Sequence, residues 1–585
     1  MRAASLMAVL VLTKVIVLAG HDVPLAWWSP IAYLWQDAAL VLVFGGVEFM
    51  LASRRRLAGV AYAAVALYAV VNIPVMRVLS TPLTWSMWGA ARGPLADSLW
   101  HDATWQNVLL LLTAAAVIVL APLVLRRTPA FAPEHRRARR HAPLLALLAV
   151  VVALGPAASA RVDTRGLDRN AWTALLATAM PRMDARPSDA DWRAASWPDR
   201  TPREDLSQFR GAAAGRHIVL LSLESTAARY LGLYGADPDV MPNLSELARS
   251  AIVFDNADAV YPESIKGLFS ILCSTYPAFD SPAASYAAAP CRSLAAVLSR
   301  GGYRTGLFHS GRFVYLGMEA IIRNRGYGTL ADAGDIGGHF NSSFGVDEPS
   351  TVTHVLRWID ALPADQRFFV TYLPIAGHHP YETPEPGPFP DHDELGRYRN
   401  ALYYGDQSLG TLVRGLRARG LDQKTLWIVL GDHGEAFGQH DGNYGHTFHI
   451  YDENVHVPFL VAAPGLLPRQ IRSRRVVSLI DTAPTVLELA GLPAPEIYQG
   501  RSMLDPEPRM ALFFADYSLG MLGLRDGPMK FIHELDSGRS RLFDVDQDPQ
   551  ETKDLSNRYA RQAARYVQDL RGWSAAQKHL LNTAR

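Results

Sequence analysis

The stretch Ile428-Val-Leu-Gly-Asp432-His433-Gly-Glu435 decides the fold of the larger part of the chain. Its apolar start is typical of a buried strand in a parallel sheet, and a carboxylate and an imidazole follow where the strand stops. This strand covers residues 426–430, and the other strand candidates are residues 217–223, 303–308, 368–373 and 457–462. Helical patterns alternate with them at residues 241–250, 293–300, 350–362, 401–420 and 481–490. This alternation predicts an α/β domain with a mostly parallel central sheet.

The first 160 residues have a different composition. Apolar runs lie at approximately residues 4–20, 30–53, 57–79, 108–125 and 142–160. A membrane-spanning helix needs about 20 predominantly apolar residues, so each run is long enough or nearly so. The sequence therefore predicts a five-helix transmembrane domain over residues 1–160. Residues 161–210 are polar and proline-containing, which predicts a linker with a short helix near residues 170–179, and residues 211–585 form the predicted catalytic domain.

Basic residues predict the orientation of these spans. Arginines are concentrated after the second run and between the fourth and fifth runs, at Arg54, Arg55, Arg56, Arg126, Arg127, Arg136, Arg137, Arg139 and Arg140. The loop 80–106 contains only Arg92 and is rich in tryptophan, which favours the membrane interface. Because positive loops stay in the cytoplasm, the N-terminus is predicted inside and everything after residue 160 outside. The string Ala158-Ser159-Ala160 leaves open an alternative, cleavage by a signal peptidase and release of the enzyme.

Three polar strings lie where parallel strands end or a helix begins. Glu224 follows the first strand, Asp432-His433 follows the strand at 426–430, and Ser264 starts a predicted helix between them. Because sites in such sheets form at the carboxyl ends of strands, these side chains are expected to meet. Glu224, Asp432 and His433, with Ser264 as a fourth ligand, suit one divalent cation, which would lower the hydroxyl pKa and polarise a phosphoryl oxygen. The helix dipole at Ser264 would favour an alkoxide and attract phosphate.

The order of motifs along the chain resembles the alkaline phosphatase/sulfatase superfamily. The matching strings are Glu224-Ser225, Met241-Pro-Asn-Leu244, the helix start at Ser264, Gly302-Tyr303-Arg-Thr-Gly306, Gly431-Asp-His-Gly-Glu435, Tyr451-Asp-Glu-Asn-Val-His-Val-Pro458, Asp481-Thr-Ala-Pro-Thr485 and Leu542-Phe-Asp-Val-Asp-Gln-Asp-Pro549. With the apolar N-terminus, the chain looks like the membrane-anchored lipoteichoic acid synthase and phosphoglycerol or phosphoethanolamine transferase branch.

This resemblance implies roles for individual residues. Ser264 would be the nucleophile, where that branch usually has Thr, and the single metal, Mn or Zn with Mg as an alternative, would be bound by Glu224, Ser264, Asp432 and His433. His309 and His378 lie in strings that contact the substrate phosphate in that branch. Arg312 is a candidate phosphate clamp because a guanidinium binds phosphate with two parallel hydrogen bonds, and His446 and His449 are further candidates for substrate binding. For His446 and His449 a structural role is the alternative.

Two departures argue against sulfate-ester hydrolysis. Sulfatases carry Cys or Ser followed by x-Pro-x-Arg, the signal for conversion to formylglycine, whereas Ser264-Ile-Lys-Gly-Leu268 has neither Pro nor Arg. They also have paired aspartates after the first strand, where this chain has Leu223-Glu224.

The expected function is therefore transfer of a phosphoglycerol or phosphoethanolamine group at the bacterial inner membrane. A membrane phospholipid would be the donor, and a hydroxyl of an envelope glycan, lipid or polymer the acceptor. The alternatives are a sulfatase-like hydrolase or phosphodiesterase, and a catalytically inactive sensor or binding protein on this scaffold. The net charge of +1 gives no indication of a nucleic-acid partner.

Cys273 and Cys291 are the only cysteines in the sequence. With two cysteines, only one intramolecular pairing is available. Both lie on the predicted outer side, where disulfides persist. A Cys273–Cys291 bond is expected, and two buried free thiols are the alternative.

Overall fold

The computed structural model describes residues 2–19, 21, 23, 25–85, 87–88, 105–127, 137–198, 204–340 and 344–583. In its first 160 residues it contains α1 (Arg2–Leu18), α2 (Ser29–Met50), α3 (Arg55–Leu79), α4 (Trp105–Arg127) and α5 (Arg137–Ser159). These helices coincide with the predicted apolar runs. Within the described residues, α2 and α3 are long and apolar enough to cross a membrane, whereas α4 and α5 contain shorter apolar segments. The count of five spans stays a prediction, and Arg92 and Arg136 of the charge pattern lie outside the described residues.

A polar contact holds the start of the linker against these helices. Lys14 on α1 forms a buried ion pair with Asp37 on α2 at 3.7 Å. The Lys14 ammonium donates to the carbonyls of Leu167 and Arg169, both at 3.0 Å, and the Asn170 amide donates to Asp37 at 2.6 Å. Two buried charges are thus paired and hydrogen-bonded, which is the condition under which such groups are tolerated.

The linker follows as α6 (Ala171–Thr178), close to the predicted short helix. Asn170 caps it by accepting a hydrogen bond from the Trp172 N–H at 2.9 Å. Just before the linker, Ala158 is fully buried and Ser159 donates to Asp168 at 3.2 Å. A protease would have to open this packing to reach the Ala158-Ser159-Ala160 string.

The rest of the chain is an α/β domain. Its strands are β1 (His217–Leu223), β2 (Ala251–Asp258), β3 (Arg304–His309), β4 (Thr329–Ala331), β5 (Phe368–Leu373), β6 (Thr425–Gly431), β7 (Ala436–Phe437), β8 (Tyr444–Gly445), β9 (His456–Ala462), β10 (Ile471–Ser478), β11 (Ala511–Ala515), β12 (Met521–Asp526), β13 (Met529–Glu534) and β14 (Ser540–Asp544). Its helices are α7 (Pro242–Leu247), α8 (Ser264–Cys273), α9 (Leu294–Arg300), α10 (Glu319–Ile322), α11 (Ala333–Ile336), α12 (Glu348–Asp360), α13 (Glu394–Ala418), α14 (Asp452–Val455), α15 (Thr482–Leu489) and α16 (Ala560–Thr583).

The central sheet has the strand order β10-β2-β9-β6-β1-β5-β3-β4. Its described pairings are parallel except those of β9, which runs antiparallel to β2 and β6. The predicted mostly parallel sheet is therefore confirmed. Apolar clusters cover both faces of the sheet, with α8 and α15 on one side and α7, α12 and α13 on the other. The residues of β1 and β6 are buried along their whole length, which explains their unbroken apolar runs.

A second sheet, absent from the sequence prediction, contains β11 to β14 in antiparallel order. It packs with α16 through an apolar cluster that includes Tyr261, Phe514 and Trp573. Since Tyr261 immediately precedes the α8 region, this sheet supports the helix that carries Ser264.

Cys273 and Cys291 form a disulfide bond in the structure, which is the pairing expected from the sequence. Their Cα atoms are 5.2 Å apart. Cys273 is the last residue of α8, and Cys291 lies two residues before Ser293, the N-cap of α9. The bond therefore ties the end of the Ser264 helix to the segment that leads into the next helix.

Removal of this disulfide is expected to destabilise the protein. The two cysteines are 18 residues apart, and closing a loop of that size contributes about 3 kcal/mol in the chain-entropy model. The Cys273→Ser, Cys291→Ser double variant should lose about this much free energy of unfolding, measured by denaturant titration of the non-reduced protein. Mass spectrometry of non-reduced peptides provides the control, because free thiols on both cysteines of the wild-type protein would contradict the bond.

Candidate active site

Strand register brings together the polar residues that follow β1 and β6. The two strands pair in parallel, with Leu223 opposite Gly431 at their ends. Glu224 and Asp432 are the next residues of each strand, so they lie side by side. A hydrogen bond from the Ser225 N–H to Asp432 Oδ1, at 3.0 Å, joins the two strand ends directly.

Ser264 at the start of α8 completes the cluster. Its hydroxyl donates to Glu224 Oε2 at 2.9 Å and lies 3.2 Å from His433 Nε2. His433 Nε2 is 3.6 Å from Glu224 Oε1 and 3.6 Å from Asp432 Oδ2. The structure therefore unites the four residues that the sequence assigned to the metal and the nucleophile: Glu224, Ser264, Asp432 and His433.

The orientation of His433 favours metal binding. Its Nδ1 lies 3.0 Å from the Gly434 carbonyl oxygen, which can only accept a hydrogen bond. Nδ1 is therefore the protonated nitrogen, and Nε2 faces the two carboxylates and Ser264. A backbone partner on one ring nitrogen commonly fixes the other as a metal ligand.

The charges of Glu224 and Asp432 also favour a bound cation. Burial and then the neighbouring Glu224 carboxylate raise the pKa of Asp432 far above its ordinary value. Burial also acts to raise the pKa of Glu224, but the charges of His433, His378 and His446 outweigh it and lower that pKa. Two buried carboxylates in mutual repulsion are stabilised when a cation lies between them.

The donor set fits a divalent cation. One ligand atom each from Glu224, Asp432 and His433 lies within 4.8 Å of the others. Two carboxylates and an imidazole, with the Ser264 hydroxyl beside them, are hard or borderline ligands of the kind that Mn, Zn and Mg accept. The donors alone do not select one of these metals.

The start of α8 differs from the sequence expectation in one respect. Glu263 caps this helix, and its carboxylate accepts hydrogen bonds from the N–H groups of Ile265 at 3.0 Å and Lys266 at 3.4 Å. These helix-terminal donors are therefore occupied by a carboxylate and are not available to phosphate. An anionic substrate must find its positive partners elsewhere.

Histidines surround the candidate metal ligands, and their ring N–H groups can donate hydrogen bonds to an anionic substrate. His309, His378, His433 and His446, which we call the histidine cluster, surround Glu224 closely enough for their charges to interact with it. The His446 ring lies 4.2 Å from the His433 ring and 6.2 Å from the His378 ring, centroid to centroid. His309 is buried and its Nδ1 lies 3.0 Å from the Leu373 carbonyl. The cluster brings three of the predicted phosphate-binding residues to the site.

Two other predicted substrate contacts lie apart from this cluster. Arg312 is exposed, and its Nη1 lies near Gly334 on α11. His449 is buried beside Tyr451, with ring centroids 5.7 Å apart, and burial together with Arg541 lowers its pKa to about 4. The environment of His449 agrees with the structural alternative considered for it.

Three contacts of the site were not predicted from the sequence. Glu435 fixes His446, whose Nδ1 lies 2.7 Å from Glu435 Oε2, and the same carboxylate accepts from Tyr381 at 2.7 Å. Ser225, at φ 52°, donates from its hydroxyl to Glu224 Oε1 at 2.9 Å. Glu435 belongs to the Gly431–Glu435 motif, so the motif offered a signal for it.

The third contact involves Lys266, two residues after Ser264. Its ammonium lies 2.7 and 2.9 Å from the two carboxylate oxygens of Asp516, which follows β11. Lys266 occupies the position at which a sulfatase signal has proline, and here it joins the Ser264 helix to the second sheet. The sequence alone gave no indication of this pair, because its members are 250 residues apart.

Comparison with known proteins places the central region in a family. Residues 216–492 match the family described as Sulfatase. The chain is 28% identical over 260 residues to Arylsulfatase K of Bos taurus, covering 39% of this chain and 47% of that protein. It is 22% identical over 312 residues to Lipoteichoic acid synthase-like YvgJ of Bacillus subtilis (strain 168), covering 50% of this chain and 49% of that protein. The chain thus spans about half the length of these curated relatives.

Solved structures share the fold. A protein in the alkaline phosphatase superfamily from Vibrio parahaemolyticus superposes with a TM-score of 0.53 at 22% identity, covering 70% of this chain and 94% of that chain. The lipoteichoic acid synthase LtaP from Listeria monocytogenes superposes with a TM-score of 0.51 at 16% identity, covering 66% of this chain and 96% of that chain. Residues 216–492 thus carry the match to the Sulfatase family, and the chain is similar both to arylsulfatases and to lipoteichoic acid synthases.

Proposed function

We propose that this chain is a membrane-anchored, metal-dependent phosphotransferase. It moves a phosphoglycerol or phosphoethanolamine group from a phospholipid to a hydroxyl of an envelope glycan, lipid or polymer. The observation that carries the proposal is the Ser264 hydroxyl, held 2.9 Å from Glu224 and 3.2 Å from His433 at the start of a buried helix. A serine that cannot be converted to formylglycine retains a hydroxyl nucleophile, which suits phosphoryl transfer.

The first half-reaction exchanges one phosphoester bond for another. Ser264 Oγ forms a bond to phosphorus, and the bond between phosphorus and the diacylglycerol oxygen breaks. Glu224 Oε2 already accepts the Ser264 hydroxyl hydrogen and so provides its acceptor, while the histidine cluster provides imidazoles able to protonate the leaving oxygen. A divalent cation held by Glu224, Asp432 and His433 supplies Lewis-acid activation of the hydroxyl and of a phosphoryl oxygen.

The second half-reaction returns the serine to its starting state. The acceptor hydroxyl gives its proton to the imidazole that protonated the leaving oxygen and attacks the phosphorus. The Oγ–P bond breaks, and the proton held by Glu224 returns to Ser264 Oγ. The imidazoles of the histidine cluster lie around Glu224, so they are positioned to interact with the phosphoryl group in both half-reactions. Water as acceptor in place of an envelope hydroxyl would give the phosphodiesterase alternative.

A sulfatase-like hydrolase is the competing function, favoured by the likeness to Arylsulfatase K. Lys266 and Leu268 stand where the sulfatase signal has proline and arginine. Lys266 is also fixed by Asp516, so this position has a structural role of its own. These observations favour phosphate over sulfate esters.

The membrane setting rests on the N-terminal helices. Within the part of the chain that the structure describes, two of them are apolar and long enough to span, and the arginine distribution supports a cytoplasmic N-terminus with the catalytic part outside. Anchoring at the bacterial inner membrane would place the active site next to its lipid donor.

Trapping the covalent intermediate tests this function. Full-length protein in vesicles containing head-group-labelled phosphatidylglycerol or phosphatidylethanolamine, without acceptor, is expected to release diacylglycerol and retain label on the Ser264 peptide after acid quench. Continuous release of the labelled head group into water would instead indicate a phosphodiesterase. Turnover of p-nitrophenyl sulfate with no reaction of either lipid would overturn the proposal in favour of a sulfatase, and no turnover of any probe would favour an inactive binding protein.

A further inference from the structure

Two loops of the catalytic part rest on the N-terminal helices. In the loop after β11, the Tyr517 carbonyl accepts a hydrogen bond from Thr84 Oγ1 at 2.7 Å, just beyond the end of α3. In the second loop region, which runs from β7 to α14 and includes the short strand β8, Gly442 packs against Ser80 so closely that a side chain there would clash with it. Asp441 in the same loop pairs with Arg165 at 2.7 Å. Both loops therefore pack against the residues that directly follow α3, and one of them also contacts Arg165 of the linker.

The same two loops reach the nucleophile. Asp516 precedes Tyr517 and pairs with Lys266 on the nucleophile helix. His446 follows Gly442 by four residues, and its ring lies 4.2 Å from that of His433. Both loops therefore connect residues next to the apolar N-terminal helices with residues of the candidate active site.

Aromatic side chains mark the border between the two parts. The rings of Phe448 and Tyr517, one from each loop, lie 6.3 Å apart and are half-buried. Trp85, next to Thr84, is 60% exposed, and its backbone N–H donates to the Thr178 hydroxyl at the end of α6 at 3.0 Å. Tryptophan and tyrosine are favoured at the boundary between lipid and water. The border is therefore suited to an amphiphile with its polar end toward Ser264 and its apolar end toward the helices.

We propose that Trp85, Phe448 and Tyr517 form a binding surface for the glycerol backbone and first acyl carbons of a membrane phospholipid. The phosphodiester then reaches Ser264 while the tails stay in the bilayer, so the donor is taken directly from the membrane. This inference rests on the proposed function and adds the surface that selects a lipid over a water-soluble phosphodiester.

The test compares two donors on the same full-length protein in vesicles. One is phosphatidylglycerol or phosphatidylethanolamine in the vesicle, and the other is the soluble diester bis(p-nitrophenyl) phosphate. Because an aromatic side chain contributes a large apolar contact, Trp85→Ser and Phe448→Ser are each expected to lower the ratio of lipid to soluble-diester turnover by about tenfold. Phe448→Leu, which stays apolar, should keep most of the ratio.

Trp27→Ser is the matched control. Trp27 lies in the turn before α2 and is 91% exposed, so it has little contact with the rest of the described chain, and its variant should keep the wild-type ratio. An unchanged ratio in Trp85→Ser and Phe448→Ser, including equal loss of both activities, would overturn the surface while leaving the proposed function intact. A wild-type protein that turns over neither diester would instead reject the proposed function, and the surface with it.

Discussion

Ser264→Ala is expected to lower transferase activity by at least about a thousandfold, because no other described hydroxyl has the same two partners at the metal cluster. The variant should fold normally, since the partners of the lost hydroxyl, Glu224, His433 and Asp432, retain other contacts. Turnover of labelled phospholipid and label on the Ser264 peptide are the measurements. Circular dichroism and thermal unfolding check the fold.

Two further variants make this result specific to Ser264. Ser264→Thr keeps a hydroxyl and is expected to retain part of the activity. Ser270→Ala, on the same helix, removes a buried hydroxyl that donates only to the Gly267 carbonyl at 2.7 Å, so it should leave turnover close to wild type. Wild-type activity in Ser264→Ala would move the nucleophile elsewhere, with Ser225 the next residue to test.

Local sequence pattern predicted the parts of the fold that depend on local physics. Buried strands such as β1 and β6 are apolar throughout, and the N-terminal helices coincide with long apolar runs. The reversed direction of β9 could not be read in this way, because an apolar run is the same in both directions. The antiparallel sheet of β11 to β14 escaped prediction because β12 and β13 mix charged residues such as Arg525 and Lys530 with apolar ones, and because the sheet packs on distant residues such as Tyr261 and those of α16.

The same distinction applies to the site. Glu224, Asp432 and His433 were predictable because each follows a buried strand, and parallel strand ends meet at one edge. The occupation of the α8 N-terminus by Glu263 required the backbone geometry, since a glutamate before a helix can equally face solvent. The Lys266–Asp516 pair joins residues that no local pattern relates. Long-range polar contacts were therefore the part of the site that only the structure could supply.

The candidate metal ligands Glu224 and Asp432 are expected to tolerate substitution poorly. Glu224 and Asp432 carry like charges in a buried site, and both are also bound to Ser225, whose N–H and hydroxyl hold them in place. A cation removes the repulsion, whereas loss of one carboxylate removes both a ligand and half of the negative charge. We therefore expect metal binding, rather than folding, to be the property most sensitive to either residue.

Asp432→Asn removes one of a few charged ligands. It is therefore expected to lower bound metal from one ion per chain to below about a tenth of that value. Activity should fall by about a thousandfold or more. Glu224→Gln should behave in the same way. Metal content by plasma mass spectrometry and the shift of the unfolding temperature on adding Mn or Zn are the measurements. A metal that binds only the folded state at about a hundred times its Kd adds about 2.7 kcal/mol of stability, which the variants should not show.

The metal-free proteins distinguish a ligand from a structural residue. Asparagine can still accept the hydrogen bonds that Ser225 and His433 donate to Asp432 Oδ1, and it no longer repels Glu224. Metal-free Asp432→Asn should therefore be at least as stable as metal-free wild type. Asp406→Asn is the control, because Asp406 is a buried aspartate whose carboxylate accepts from the N–H groups of Asn243 and Leu244 outside the cluster. That variant should keep its metal even if it loses stability, whereas wild-type metal occupancy in both Asp432→Asn and Glu224→Gln would contradict the assignment of the site.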